Sequence, residues 1–302
     1  MRKHWKLLAV LAGIALVAVG TIGTRKKAEP IYKDRPLTQW CLQYQDYRNR
    51  GDGPSEIKKN EAREAIRAIG TNGIPIALGM LRAEISSRAK LAGPIRGIRH
   101  LEKLAEVVDP TQPFEPLFFF QALGEQGSPA IPELTHLLNA NTNVLHVHRY
   151  SWCLAAIGSP AMPTLLAALS RPEVDYRDQI TCWLASDVFD FGTNINQAAP
   201  ILVKLSNDPN PMVAVQSVKA LGRMTMDTER LLPTLTNALQ NPNAAVRSAA
   251  ALSLGRLPGS KSAAVPALYA ALADPAEGTR LEATNALRMI APEVLTNAFP
   301  TP

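Results

Sequence analysis

Cysteine is scarce: Cys41, Cys153 and Cys182 are the only three in 302 residues. Three widely scattered thiols exclude a disulfide framework as the basis of the fold. Cys153 and Cys182 sit in apolar helical patterns, where a small buried thiol is the expected role. Strand-like alternation of useful length is also missing, so the chain reads as all-α. At 46% hydrophobic, 19% charged and 6% aromatic residues, collagen, a disordered tail and a disulfide-knotted miniprotein are all excluded. The composition is that of a globular chain long enough for one large core or two ordinary domains.

Acidic residues are absent from residues 1–27, which hold Arg2, Lys3, Lys6, Arg25, Lys26 and Lys27. The rest of the chain balances 26 basic against 26 acidic residues, so the formal charge of +6 belongs to the N-terminus. A neutral body argues against nucleic acid, whose binding is dominated by phosphate contacts. Residues 7–24 carry no charge, and as a helix they would be roughly 27 Å long. With its basic start and the small residues Ala18 and Gly20 around Val19, this segment reads as an export signal or membrane anchor. Nothing resembles a lipobox, since Cys41 lies well beyond the apolar run. Export to the cell-envelope side is the preferred expectation. The alternative is a cytoplasm-facing anchor, because Arg25, Lys26, Lys27, Lys33 and Arg35 outnumber the basic residues before the segment.

One pattern recurs along the body. Endings Ala68-Ile69-Gly70, Ala122-Leu123-Gly124, Ala156-Ile157-Gly158, Ala220-Leu221-Gly222 and Ser253-Leu254-Gly255 are joined by degenerate copies at Ala185 and Arg288. After each ending but the last, a proline opens a second helix: Pro75, Pro132, Pro163, Pro200, Pro233 and Pro266. Asp208-Pro209, Asn241-Pro242 and Asp274-Pro275 stand between the two helices, where Asp or Asn is placed to cap the next one. Val246, Ala249, Ala250 and Leu254 follow helical spacing, giving each helix a face that a neighbour must cover. Unit-length self-similarity of this kind is the mark of a repeat array.

These motifs resemble HEAT repeats, particularly the short HEAT-like type also found in phycobilisome lyases. Residues 241–247 and 274–280 reproduce the family's Asp-Pro turn and Val-Arg start closely, and Tyr176-Arg177 its second half. The resemblance implies a right-handed α-α superhelix, an armadillo-like solenoid of about seven hairpins, covering residues 55–298 and preceded by the N-terminal helix. It further implies a ladder in which Arg177, Arg247 and Arg280 pair with turn carboxylates or carbonyls, Asp208 and Asp274 among them. Ala62, Pro116, Tyr150 and Ala214 interrupt the arginine column, and Asn241 replaces an aspartate.

Residues 28–54 form a leader in which Thr38 is placed to cap a short helix carrying Trp40, Cys41, Tyr44 and Tyr47. That helix serves either to cover the first repeat or, through Trp40, to present an aromatic contact surface. Similar leaders precede HEAT-like arrays in exported bacterial proteins. Gly51-Asp52-Gly53-Pro54 separates leader from array, and residues 299–302 are a short tail. The one marked irregularity is an insertion at about 82–113, whose Arg88, Lys90, Arg96 and Arg99 are candidates for an acidic partner or anionic lipid headgroups.

Recognisable chemistry is sparse. Some HEAT-like proteins, the deoxyhypusine hydroxylases, hold di-iron through His-Glu pairs, but no such dipeptide occurs here. His146 and His148, two apart on a helix, point about 200° from each other and cannot share an ion. Residues 255–262 carry a glycine and a lysine without the phosphate-loop spacing, and no Gly-x-Ser-x-Gly elbow exists. Asp187 and Asp190 are the one carboxylate pair considered for acid–base work. The expectation is a non-catalytic scaffold with no cofactor or metal, binding another protein and held at or exported across the membrane through residues 7–24. The alternatives are a bilin-lyase or metal-hydroxylase type of enzyme and, after that, a nucleic-acid-binding protein.

Overall fold

The structure is a computed structural model and describes residues 29–47, 52–85, 115–140, 144–171, 176–225, 228–257, 259 and 261–298. Two compact units divide between Ala130 and Ile131. The leader and the first helices after it lie in the first unit. The N-terminal segment, Arg88, Lys90, Arg96 and Arg99 lie outside the described residues. Among the described residues, no helix is long and apolar enough to cross a membrane.

The first unit opens with a small hairpin whose two-residue strands are too short to show alternation in the sequence. Ile31–Tyr32 pairs antiparallel with Arg35–Pro36 across a two-residue turn, Lys33 and Asp34, whose φ values are 46° and 58°. Positive φ at both turn residues matches the right-handed twist of a tight hairpin. Helices α1 (Leu37–Tyr47), α2 (Gly53–Ile69), α3 (Ile74–Ile85) and α4 (Pro116–Leu123) follow. Thr38 is not the cap of α1; its amide and hydroxyl both donate to the Glu29 carboxylate, nine residues back. Asp52, expected in a separating loop, caps α2 by accepting from the Ser55 amide at 2.8 Å, and Pro54 lies in that helix's first turn. Ala62, Ala65, Ile66 and Ile69 of α2 are buried at i, i+3, i+4 and i+7. α1 packs on both α2 and α4.

The second unit begins with α5 (Ile131–Ala140). Among the described residues five pairs of helices then follow: α6 (Val144–Ile157) with α7 (Met162–Leu169), α8 (Arg177–Ala185) with α9 (Ala199–Leu205), α10 (Pro211–Leu221) with α11 (Thr228–Ala238), α12 (Ala244–Arg256) with α13 (Lys261–Ala271), and α14 (Glu277–Ile290) with α15 (Pro292–Ala298). The first helices stack in a row, α6 on α8, α8 on α10, α10 on α12 and α12 on α14. Each second helix also packs on the first helix of the following pair. This is the regular hairpin array expected from the repeat.

The repeating glycine does two different jobs. Gly70, Gly124 and Gly158 have φ of 60°, 62° and 83° and turn the chain into a 3-10 segment before the second helix. Gly222 and Gly255 have no such φ; they are where the next helix comes closest. A Cβ on Gly222 would stand 2.5 Å from that of Ser253, and one on Gly255 2.7 Å from that of Ala286. Arg288 lies in the last described helix of the row, on which no further row helix stacks among the described residues, and a large side chain fits.

The prolines differ likewise. Pro75, Pro132, Pro163 and Pro200 are each the second residue of a helix, but Pro233 and Pro266 lie inside α11 and α13. In those two copies the residues before the proline wind as α-helix instead of a 3-10 turn. Both prolines face solvent, where water can satisfy the carbonyl that lacks a partner.

Candidate functional site

The arginine ladder of the second unit rests on three turns of the same construction. Asp208 Oδ1 accepts from the Asn210 amide at 2.9 Å, Asn241 Oδ1 from the Asn243 amide at 2.9 Å and Asp274 Oδ1 from the Ala276 amide at 2.8 Å. The helix caps themselves stand two residues later than expected. Asn210 accepts from Met212 and Asn243 from Ala245, while Ala276 has no side-chain cap. The first Asx residue thus shapes the turn, and at Asp208 and Asp274 its carboxylate also serves the ladder.

Two rungs, at Arg177 and Arg247, join one repeat to the next. Arg177 Nη1 donates to Asp208 Oδ2 at 2.8 Å. Arg247 Nε and Nη2 donate to Asp274 Oδ2 and Oδ1 at 2.7 and 2.9 Å, a two-pronged contact, while its Nη1 donates to the carbonyls of Asn241 at 2.9 Å and Pro242 at 3.1 Å. The Arg247 bond holds the Asp274 carboxyl below the usual carboxylate range despite its burial, and Asp274 in turn raises the Arg247 pKa. Arg280 Nη1 donates to the carbonyls of Asp274 at 2.8 Å and Pro275 at 3.0 Å. The interruption at Ala214 coincides with the one at Asn241, where the next rung would be. Arginine and aspartate are lost together, so no half-buried charge is left unpaired.

An open cleft of about 480 Å³ runs beside the 247–274 rung, walled by Asn241, Pro242, Ala270 and Pro275. The two charges on its wall are spent on each other.

A clasp at Arg223 was not anticipated. Its Nη1 donates to the carbonyls of Leu184, at 3.0 Å, and Ser186, its Nη2 to that of Phe189 at 3.4 Å, and its Nε lies 3.3 Å from Asp187 Oδ1. Burial is the main cause of its lowered pKa, with Asp187 opposing. Both carboxylates of the Asp187–Asp190 pair are engaged by the protein itself. Asp187 is an ion-pair partner, and Asp190 accepts from the Gly192 amide at 2.8 Å to form a turn. The only sequence signal was an arginine directly after the Leu-Gly ending, visible again at Arg256.

Half-buried aromatic residues bridge α6 and α8. Trp183 lies 5.4 Å from Trp152 and 5.0 Å from His148, between ring centroids, and Phe189 closes the group edge-on at 5.6 Å from Trp183. Trp183 Nε1 donates to Ser151 Oγ at 3.1 Å. His148 is held neutral more strongly than a free imidazole, chiefly by burial. The described residues contain no group of three potential metal ligands.

Trp40 is 1% exposed and lies in the core of the first unit, with its Nε1 donating to the Tyr32 carbonyl at 3.1 Å and the Arg35 guanidinium 3.8 Å over its ring. It offers no contact surface; a large amphipathic ring is buried once its one N–H has a partner. Cys41 and Cys153 are buried, whereas Cys182 is only half-buried, and none of the three is in a disulfide. Of the supposed phosphate-loop residues, Gly255 ends a helix and Lys261 begins one, its Nζ 2.8 Å from Glu293 Oε1.

Stacked helical hairpins joined by inter-repeat rungs define an α-helical repeat array. Residues 198–288 match the family of HEAT repeats. No curated protein matches the chain.

Proposed function

We propose that the chain is a non-catalytic protein–protein interaction scaffold, a HEAT-repeat solenoid held at or exported across a membrane by residues 7–24. The HEAT match over residues 198–288 carries this reading, since HEAT repeats commonly mediate protein–protein interaction. Met212, Tyr269, Leu281 and Met289 are large apolar side chains exposed on that part of the array and its edge. The membrane element rests on the uncharged, basically flanked segment alone.

Proximity labelling in cells, with the native N-terminus kept, tests the scaffold. A reproducible set of neighbouring proteins supports it. Stoichiometric bound iron or pigment on the purified chain, with no reproducible neighbour, overturns it in favour of an enzyme. A C-terminal reporter active only outside the cytoplasm tests export, and activity of a cytosol-only reporter replaces export with the cytoplasm-facing anchor.

A further inference from the structure

Resting on the scaffold reading, we infer that Arg280 is a carboxylate-binding site where a partner protein seats an Asp or Glu side chain. The warrant is the pairwise match with Arg247. Both arginines give Nη1 to the first two carbonyls of their own turn, at 2.9 and 3.1 Å in one case and 2.8 and 3.0 Å in the other. In Arg247 the remaining edge, Nε and Nη2, grips Asp274 of the next repeat. In Arg280 the same edge has no partner among the described residues. The guanidinium is thus anchored by two backbone acceptors and held in the pose that binds a carboxylate two-pronged one repeat earlier. Pre-organisation of this kind lowers the entropy lost on binding.

The surroundings decide what can deliver that carboxylate. α12 receives α14 over small residues: Gly255 against Ala286, and Ser248 with its hydroxyl on the Gly278 carbonyl at 3.3 Å. The corresponding positions of α14 are Arg288 and the exposed Leu281, which is 56% accessible. Another helix cannot approach as closely there, so the site suits a loop or extended segment, with Leu281 as its apolar contact. Glu277 and Glu282 stand on the same helix and oppose a bare anion, so binding depends on the fork geometry as well as charge.

The experiment titrates the full-length chain, carrying 15N-labelled arginine, with a blocked Asp-Pro-Asn-Pro peptide that copies the chain's own turn. The Nε–H resonance missing in Arg280→Gln should move downfield and saturate, while that of Arg247 stays in place. The Asn-Pro-Asn-Pro peptide, and chloride at equal ionic strength, should shift it at least tenfold less, and Arg280→Lys should retain only a weak response to charge. An unmoved Arg280 resonance, or equal shifts with the uncharged peptide or chloride, overturns the site. Proximity labelling with Arg280→Gln separates the two readings. Unchanged neighbours and no peptide response reject Arg280 alone, whereas no neighbours even with the unaltered chain rejects the scaffold.

Discussion

Replacing Gly255 by alanine should destabilise the protein, although alanine is the better helix former. Gly255 lies in the last turn of α12, where the exchange by itself favours the helix by about 0.5–1 kcal/mol. The new Cβ, however, would stand 2.7 Å from Ala286 Cβ and 2.8 Å from Ala286 Cα. Carbon atoms rest about 3.5–4.0 Å apart, so α12 and α14 would have to separate by roughly 0.8 Å. One of the obstructing atoms is backbone, which no rotamer change can move aside. Overpacking of this type costs about 1–3 kcal/mol, leaving a net loss of up to about 2.5 kcal/mol. Urea unfolding followed by far-ultraviolet circular dichroism would read this as a lower midpoint. Gly79→Ala is the control: it lies inside α3 with nothing within 4 Å of the added methyl, and should raise the midpoint. Adding Ala286→Gly to Gly255→Ala should recover part of the loss. A midpoint that rises with Gly255→Ala as it does with Gly79→Ala would refute the close-approach role.

The 247–274 rung should make stability depend on acid. Charge-assisted hydrogen bonds are worth about 1.5–3 kcal/mol, and the pair is largely shielded, with Arg247 13% and Asp274 9% exposed; allowing for solvent screening, Asp274→Asn should cost about 1–2 kcal/mol at neutral pH. Because folding lowers the Asp274 pKa, that contribution is complete above the unfolded value of about 3.9 and is lost as pH falls through the folded one. Unaltered and Asp274→Asn proteins should therefore converge in stability only in strong acid; a constant difference across that range would refute the linkage. Arg223→Ala should speed hydrogen exchange at residues 186–192 with little change in α14, and uniform acceleration would show that Arg223 is not a local clasp. In timed alkylation of native protein, Cys182 should react first, since burial raises the Cys41 pKa strongly and the half-buried Cys182 less; faster labelling of Cys41 would contradict the described core.

Much of the ladder was legible in sequence because its chemistry is local. An Asx-Pro turn followed six residues on by arginine brings Arg247 and Arg280 back to their own turn carbonyls, and helix geometry alone dictates that reach. The blank rung was half legible: Ala214 and Asn241 are both visible as departures, but not that they fall at the two ends of one rung, spaced as Arg247 and Asp274 are. Arg223 was hidden because its partners, Leu184, Ser186 and Phe189, are backbone carbonyls 34–39 positions away, and carbonyls carry no residue signature. Trp40 could not be assigned inside or outside, since an amphipathic ring on a short helix suits either until the neighbours are known.

By itself, the amino-acid sequence determined the all-α class, the hairpin period and the turn chemistry, because helical spacing, proline and Asx turns act within a few residues. Tertiary structure alone decided what each repeated residue is for. The same Ile/Leu-Gly ending is a left-handed turn at Gly70, Gly124 and Gly158 and a helix contact at Gly222 and Gly255. The same arginine is a closed rung at 247 and an open edge at 280. Those differences depend on whether another helix lies against the position, which is a property of packing and not of the residue or its neighbours in the chain.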